Sequence, residues 1–358
     1  MRGWILYKET ATQLKPEWYE IERLLAAAKA DNIELAVYAP DEFDLTVTRE
    51  DNKSILLNGQ PVELPDFIIP RMGSGTTYFA LAIIRHLERL GVYCLNPSKA
   101  IEIVKDKLFS QQLLAEKNLP TPKTMLVKFP VDIDLVERHL GFPVVIKTLS
   151  GSQGSGVFLS HKAREFDDLM QLIEATNKNA NIILQEFIAN SHGRDLRVFT
   201  IGGRVAGCYE RRGQEDSFKA NVSAGGSARP FEITPEIEWL ATQTANILDL
   251  DVAGIDLLFD NGHYKICEAN SSPGFEGLES CLNVDIAAQI LHFIRIRLGM
   301  FNKDEKSSEP TSAANTHNNW CGLVKLLSAA QSLLGRFFRL YDIFPSLGRV
   351  DVSGLFLQ

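Results

Sequence analysis

Two apolar segments, DVAGIDLLF and ICEANSSPG, are joined by the turn DNGHY and place oxygen ligands at their polar positions. Asp256 stands in the first; Glu268 and Asn270 stand in the second, beginning twelve residues on. The pattern predicts a hairpin. Side chains alternate along a strand, so Glu268 and Asn270 share one face. Two carboxylates and an amide can hold one or two Mg²⁺ ions, because Mg²⁺ takes a few such oxygens and fills its shell with phosphate and water. The same residues would also suit a charged surface hairpin, so the rest of the chain has to decide.

At 358 residues, the length suggests two or three domains. The net charge of −8 argues against nucleic acid as a direct partner, while still allowing a local basic pocket for an anionic ligand. The five cysteines, Cys94, Cys208, Cys267, Cys281 and Cys321, form neither a CxxC nor a Cys/His spacing, which argues against zinc or a disulfide framework. No signal peptide or membrane span is evident, and the cytoplasm is the expected compartment.

Along the chain, WILYKE, IELAVYAP and DFIIPRMG read as strands, and WYEIERLLAAAKADN and TTYFALAIIRHLERLG as helices. KSILLNGQPVEL carries a hairpin turn at Asn58-Gly59. This alternation predicts an α/β domain over 1–100. NPSKAIEIVKDKLFSQQLLAEKNLP reads as a helix stopped before Pro120. Strands in TPKTMLV, FPVVIKTL and IILQEFI follow, with helices in DLVERHL and REFDDLMQLIEATN. DLRVFTIGGRVAGCYERR is a strand pair turning at Gly202-Gly203. The helix EIEWLATQTANILDLD, the acidic hairpin and the helix NVDIAAQILHFIRIRLGMF complete an α+β region over 101–301. Residues 302–319 have almost no apolar side chains and read as a disordered linker. Residues 320–358 contain an amphipathic helix, expected to dock on the body or a partner; a membrane-surface helix is the alternative, weakly supported by Lys325, Arg336 and Arg339.

Several residues have chemistry to offer, each with a plainer reading beside it. Lys147 ends the strand VVIK and can aim its ammonium into a cleft or simply into solvent. The loop GSQGSG after it could cover phosphates with backbone N–H groups, though it lacks the GK[ST] of a Walker loop. Lys107 is a second phosphate candidate, otherwise a surface lysine. Gln185, Glu186, Phe187 and Ile188 end a buried strand and could form a hinge against a purine edge. Asp195 could accept from ribose hydroxyls or be a turn aspartate. Arg197, Arg211 and Arg212 lie on the following strands, and adjacent Arg211 and Arg212 must point to opposite faces. Arginine suits two-pronged contact with carboxylate or phosphate. Lys219 and Asn221 begin a glycine-rich stretch that could approach a transferring phosphate.

Taken in order, these residues resemble the ATP-grasp superfamily and look most like its RimK-type α-L-glutamate ligases. PRMG, FPVVIKTLSGSQGSGVFL, ILQEFIANSHGRDLRVFTIGGRVAG, DVAGIDLLF and CEANSSPGFEGLE carry the likeness, which covers most of residues 1–300. The resemblance implies an α/β (α+β) ATP-grasp fold: an N-terminal pre-ATP-grasp subdomain and two α+β subdomains clamping ATP. It implies phosphate contacts from Lys107 and Lys147, an adenine hinge at Gln185–Ile188, ribose contact from Asp195, and Lys219 and Asn221 near the γ-phosphate. Asp256, Glu268 and Asn270 would bind two Mg²⁺ or Mn²⁺ ions. Arg211 and Arg212 would orient substrate or steady an acyl phosphate. Two positions depart from the family pattern: Lys219 where arginine is frequent, which keeps the charge but puts a two-pronged contact in doubt, and Ser271 where alanine is usual.

The implied enzyme uses ATP to join an amino acid, expected to be glutamate, to an acceptor carboxylate through an acyl phosphate. The acceptor would be a protein C-terminus, such as that of a ribosomal protein, or a small acid or coenzyme. A ligase for another amino acid and a catalytically weak ATP-binding adaptor are the competing readings. Homo-oligomers occur among such proteins. No side chain stands out as general base; Glu279 is one option.

Overall fold

The computed structural model describes residues 1–9, 18–48, 54–149, 156–214, 217–220 and 225–300. Residues Met1–Phe301 form one compact unit. The expected linker, the tail helix, residues 150–155 of the Gly/Ser loop and Asn221 lie outside the described residues.

The first hundred residues run β1 (Arg2–Leu6), α1 (Tyr19–Ala30), β2 (Glu34–Tyr38), β3 (Phe43–Leu45), β4 (Ile55–Leu57), β5 (Gln60–Pro61), β6 (Phe67–Pro70), α2 (Tyr78–Arg89) and β7 (Tyr93–Cys94). Strands β2-β1-β6-β7 make a parallel sheet in that order. Its interior strands are continuous apolar runs because both faces are covered: α1 packs on one side with Ile21, Leu24 and Ala28, and α2 on the other with Ala80, Ile83, Ile84 and Leu87. The β4–β5 turn has positive φ at both Asn58 and Gly59, the conformation that an Asn-Gly hairpin favours.

A single helix was expected over the next segment, and the structure contains two, α3 (Ser98–Lys105) and α4 (Lys107–Glu116). Asp106 breaks them. Its backbone is extended and its carboxylate accepts from the Leu108 and Phe109 N–H groups, so it caps the second helix instead of continuing the first. Lys107 thereby becomes the first residue of α4.

Two antiparallel sheets follow. One comprises β8 (Thr124–Leu126), β9 (Val144–Thr148), β10 (Val157–Ser160) and β11 (Ile182–Glu186), in the order β10-β9-β11-β8. Its core side packs Val144, Ile146 and Leu184 against α5 (Ile133–His139) and α6 (Ala163–Thr176) through Val136, Phe166 and Met170. The other comprises β12 (Arg194–Ile201), β13 (Arg204–Arg212), β14 (Ser227–Pro230), β15 (Val252–Asp260) and β16 (His263–Asn270), ordered β14-β13-β12-β15-β16. Helix α7 (Pro235–Ile247) covers one face, where Ile237, Leu240 and Ala241 meet Val198, Ile255, Leu257 and Ile266. Each such fully buried Val, Leu or Ile contributes about 1.5–3 kcal/mol. Helices α8 (Glu276–Cys281) and α9 (Ile286–Arg297) follow β16, and α9 joins α1 in a core shared with Phe199 and Phe275. Among the described residues no helix is long and apolar enough to cross a membrane.

The β15–β16 pairing slips by one residue after Asp256: Asp256 pairs with Glu268, Leu257 with Ile266, and Cys267 is the extra residue of a bulge. Strand alternation alone would put Ile266 and Glu268 on the same face. The bulge instead lets Ile266 enter the α7 core while Glu268 joins Asp256 on the other side.

Candidate active site

Strand register assembles a charged cluster on the sheet face away from α7. Asp195 pairs with Arg211 across β12–β13, and Arg197 with Asp256 across β12–β15. The Asp195 carboxylate accepts two hydrogen bonds of 2.7 Å from Nε and Nη2 of Arg211. Arg197 grips Asp256 in the same two-pronged way, through Nε and through Nη2 at 2.8 Å. Arg211 Nη2 also lies 2.8 Å from Asp256 Oδ2, linking the pairs into one chain of two carboxylates and two guanidiniums. Burial raises the pKa of both carboxyls. The two guanidiniums outweigh it at Asp256, which is held below the usual carboxylate range. At Asp195 burial and the neighbouring Asp256 charge prevail over Arg211, and its carboxyl lies above that range.

Glu268 faces Asp256 directly in the register and is half-buried. It makes no hydrogen bond or ion pair among the described residues. Asn270 donates from its amide nitrogen to Gly254 O at 3.3 Å, which leaves Oδ1 as an acceptor. Across the cleft, Lys147 of β9 is buried, with Nζ 3.5 Å from Sγ of the bulged Cys267. Burial works to lower the Lys147 pKa, but Cys267, Glu268 and Asp256 raise it above the ordinary lysine value, so the ammonium stays charged. Among the described residues no three His, Cys, Asp or Glu gather round a common point. A divalent cation here would rely on two carboxylates and an amide. That set fits a hard ion: Glu268 and Asn270 have free oxygens, and Asp256 has lone pairs beyond those given to its arginines.

Other predicted residues surround this centre. Lys107 opens α4 one turn before Gln111, whose Nε2 donates to Cys267 O at 2.8 Å, so both lie on the helix face beside β16. Gln185 is buried and donates to Thr124 Oγ1, while Glu186 accepts from Lys265 Nζ at 2.6 Å and from the Lys123 N–H at 2.9 Å. Phe187 and Ile188 follow the end of β11, and the Ile188 N–H has no partner among the described residues. This strand end therefore keeps free backbone polarity beside an apolar side chain. The Lys219 ammonium lies 5.8 Å from the ring centre of Phe158 on β10 and 5.7 Å from that of Phe218. At the loop's return to β10 a Cβ on Gly156 would collide with Thr148, so only glycine closes that turn.

Two expectations need correction. Arg212 does not join Arg211. Alternation along β13 sends it to the α7 side, where its Nε donates to Glu210 at 2.8 Å. Glu279 is no free base: it accepts from Tyr19 OH at 2.6 Å, Arg23 Nε at 2.9 Å and the Ile286 N–H at 2.7 Å, and so pins α1 to α8 and α9. Burial and this carboxylate push the Tyr19 phenol up to about 12. Arg197, by contrast, had no assigned role, although its spacing of two from Asp195 on a strand signals a shared face.

The chain matches the family models of the RimK pre-ATP-grasp domain over residues 12–101 and of the RimK-like ATP-grasp domain over residues 104–294. It is 37% identical over 300 residues to a probable alpha-L-glutamate ligase of Legionella pneumophila (strain Corby), covering 83% of this chain and 95% of that protein. A protein of the same name from Hydrogenovibrio crunogenus is 40% identical over 280 residues, covering 77% and 91%. Among solved structures, the RimK domain ATP-grasp protein of Sphaerobacter thermophilus superposes with a TM-score of 0.63 at 17% identity, over 82% of this chain and 99% of that one. The ATP-grasp ligase PsnB, complexed with its minimal precursor, superposes with a TM-score of 0.64 at 20% identity, over 82% and 98%. With both halves of the body matched, this chain belongs to the RimK-like ATP-grasp family of ATP-dependent ligases.

Proposed function

We propose that the protein is an α-L-glutamate ligase, joining glutamate through its amine to an acceptor carboxylate. The observation that carries this reading is the juxtaposition of Asp256, Glu268 and Lys147 in one cleft, in a chain whose relatives carry that name. An oxygen of the acceptor carboxylate attacks the γ-phosphorus of ATP, the bond to the β–γ bridging oxygen breaks, and ADP leaves. The glutamate amine then attacks the acyl carbon; the C–O bond to phosphate breaks and an amide forms.

The chain's own groups have definable parts in this reaction. Lys107 and Lys147 would neutralise ATP phosphates, with Lys219 and Asn221 at the γ end. Gln185–Ile188 would read adenine, the Ile188 N–H offering a donor. Asp195 would face ribose, sharing its oxygens with Arg211. Arg211, fixed between two carboxylates, would steady charge on the acyl phosphate. Glu268, Asn270 and Asp256 would hold Mg²⁺ or Mn²⁺, up to two ions, which when bound neutralise phosphate charge and fix in-line geometry. A domain division near residue 100 and an ATP-grasp body to residue 301 accompany this reading. The test is mass spectrometry of products from ATP, Mg²⁺, isotope-labelled glutamate and a panel of peptide and small-acid acceptors. ATP-dependent glutamate addition that is lost in Glu268→Gln is the expected result; ADP release only with a different amino acid discards glutamate.

A further inference from the structure

Arg71 differs from the other partly buried arginines of the cleft. Arg197 and Arg211 each grip carboxylates. Arg71 makes one side-chain hydrogen bond, from Nη1 to Pro273 O at 2.9 Å, lies 5.8 Å from the Phe275 ring centre, and forms no ion pair among the described residues. A guanidinium has five N–H donors, and removing its charge from water without a counter-ion is costly. Burial pulls its pKa below the ordinary value, and the nearby Glu20 and Tyr7 only partly oppose this. Glu20 is itself committed, accepting from the Phe275 N–H at 2.9 Å.

Its place in the fold points the same way. Arg71 immediately follows the carboxyl end of β6, and its N–H donates to Leu6 O at the carboxyl end of β1. In the order β2-β1-β6-β7, the chain steps outward from β1 to β2 on one side and from β6 to β7 on the other, with α1 and α2 on opposite faces. The β1/β6 junction is therefore the switch point of the sheet, where open parallel sheets bind their ligands. Arg71 also touches the loop leaving Asn270: Pro273 packs on Gly254, where a Cβ would lie 2.7 Å from Pro273 Cβ, and Gly254 pairs with Asn270.

We infer that Arg71 is the binding group for a substrate carboxylate that is not the one being activated, held at the β1/β6 switch point beside the loop after Asn270. This rests on the ligase reading, and the carboxylate belongs either to the incoming glutamate or to the acceptor. Calorimetric titration of the full chain, with AMPPNP and Mg²⁺ present, separates the two. L-Glutamate probes the amine substrate, and N-acetyl-L-glutamate, whose amine is blocked, probes the acceptor side.

Arg71→Met should weaken one probe roughly 10- to 100-fold, the scale of a charged hydrogen-bonded pair, with AMPPNP affinity unchanged. Arg71→Lys should recover part of the loss. The probe that weakens identifies the source. Probe affinities unchanged in Arg71→Met would overturn the carboxylate site alone. A fall in AMPPNP affinity matching the fall in probe affinity would also overturn it, leaving Arg71 as a support for the Pro273 loop. Wild-type protein that binds AMPPNP but neither probe would overturn the glutamate reading and this site together.

Discussion

Residues Glu210, Arg211 and Arg212 are consecutive, yet they serve two different charge clusters on the two faces of one sheet. On the cleft face, Arg197 and Arg211 balance Asp195 and Asp256 two against two, with both guanidinium side chains only 11% exposed. On the α7 side, the fully buried Glu210 collects Arg194, Arg212 and Arg229, whose side chains are 36%, 46% and 56% exposed. The first arrangement is sealed and neutral. The second is one buried anion under an open cationic rim, with Arg194 also stacked 4.1 Å over Phe259. A sealed pair holds its geometry because neither partner can leave without stranding a buried charge. An exposed arginine can exchange its partner for water at little cost.

The largest expected effect tests that contrast on stability. Arg197→Met removes the two-pronged partner of Asp256, leaving it only the Arg211 Nη2 it shares with Asp195, and should cost about 3–5 kcal/mol in urea unfolding. A cost below about 1 kcal/mol would mean that water or Arg211 replaces it, and the distinction between the faces would collapse. Next comes catalysis: Glu268→Gln should lower ADP release about 10²–10³-fold, the scale of losing one fixed electrostatic group, with the protein still folded. Glu210→Gln should leave the rate largely intact, so an equal loss there would break the comparison from the other side.

Glu186, at the end of β11, offers an intermediate case, one carboxylate held by one lysine and one backbone N–H. Burial works against ionised Glu186, but Lys265 and Lys123 prevail and hold its carboxyl below the usual range. Since the folded value is the depressed one, this contribution is complete above the unfolded pKa of about 4.3 and disappears as pH falls through the folded value. Wild-type stability should exceed that of Glu186→Gln by about 1 kcal/mol at pH 7, with the gap closing in unfolding curves below about pH 4. The smallest effect is expected for Arg212→Ala: under 1 kcal/mol, with kcat unchanged. A large kcat loss there would restore Arg212 to the cleft.

Much of this architecture was readable from residue patterns because each signal was local. The Asn58-Gly59 and Gly202-Gly203 turns, the helical spacing of Ile21, Leu24 and Ala28, and the same-face placement of Glu268 and Asn270 depend on neighbours only. What escaped depended on register or on competition. The single helix expected over the segment from Asn96 to before Pro120 divides because Asp106 satisfies two N–H groups better as a cap than as an interior residue. The link between Arg197 and Asp256 is set by how β12 lies against β15, 59 positions apart in sequence. Alternation says only that adjacent Arg211 and Arg212 diverge, and the packing of α7 decides which one faces which side.

The bulge at Cys267 makes strand length a matter of parity. Removing that single residue would make Ile266 and Glu268 neighbours, and simple alternation would then keep them on opposite faces, Ile266 under α7 and Glu268 beside Asp256, with the bulge gone. It is the even spacing of Ile266 and Glu268 that requires Cys267 to stay bulged: flattening the strand with the residue kept would turn either an acid into the oily layer under α7 or an isoleucine toward Asp256. Point substitution at Cys267 keeps the count and the bulge, whereas deletion removes the bulge and the Sγ that Lys147 Nζ approaches while leaving the pairs on both sides of it in place.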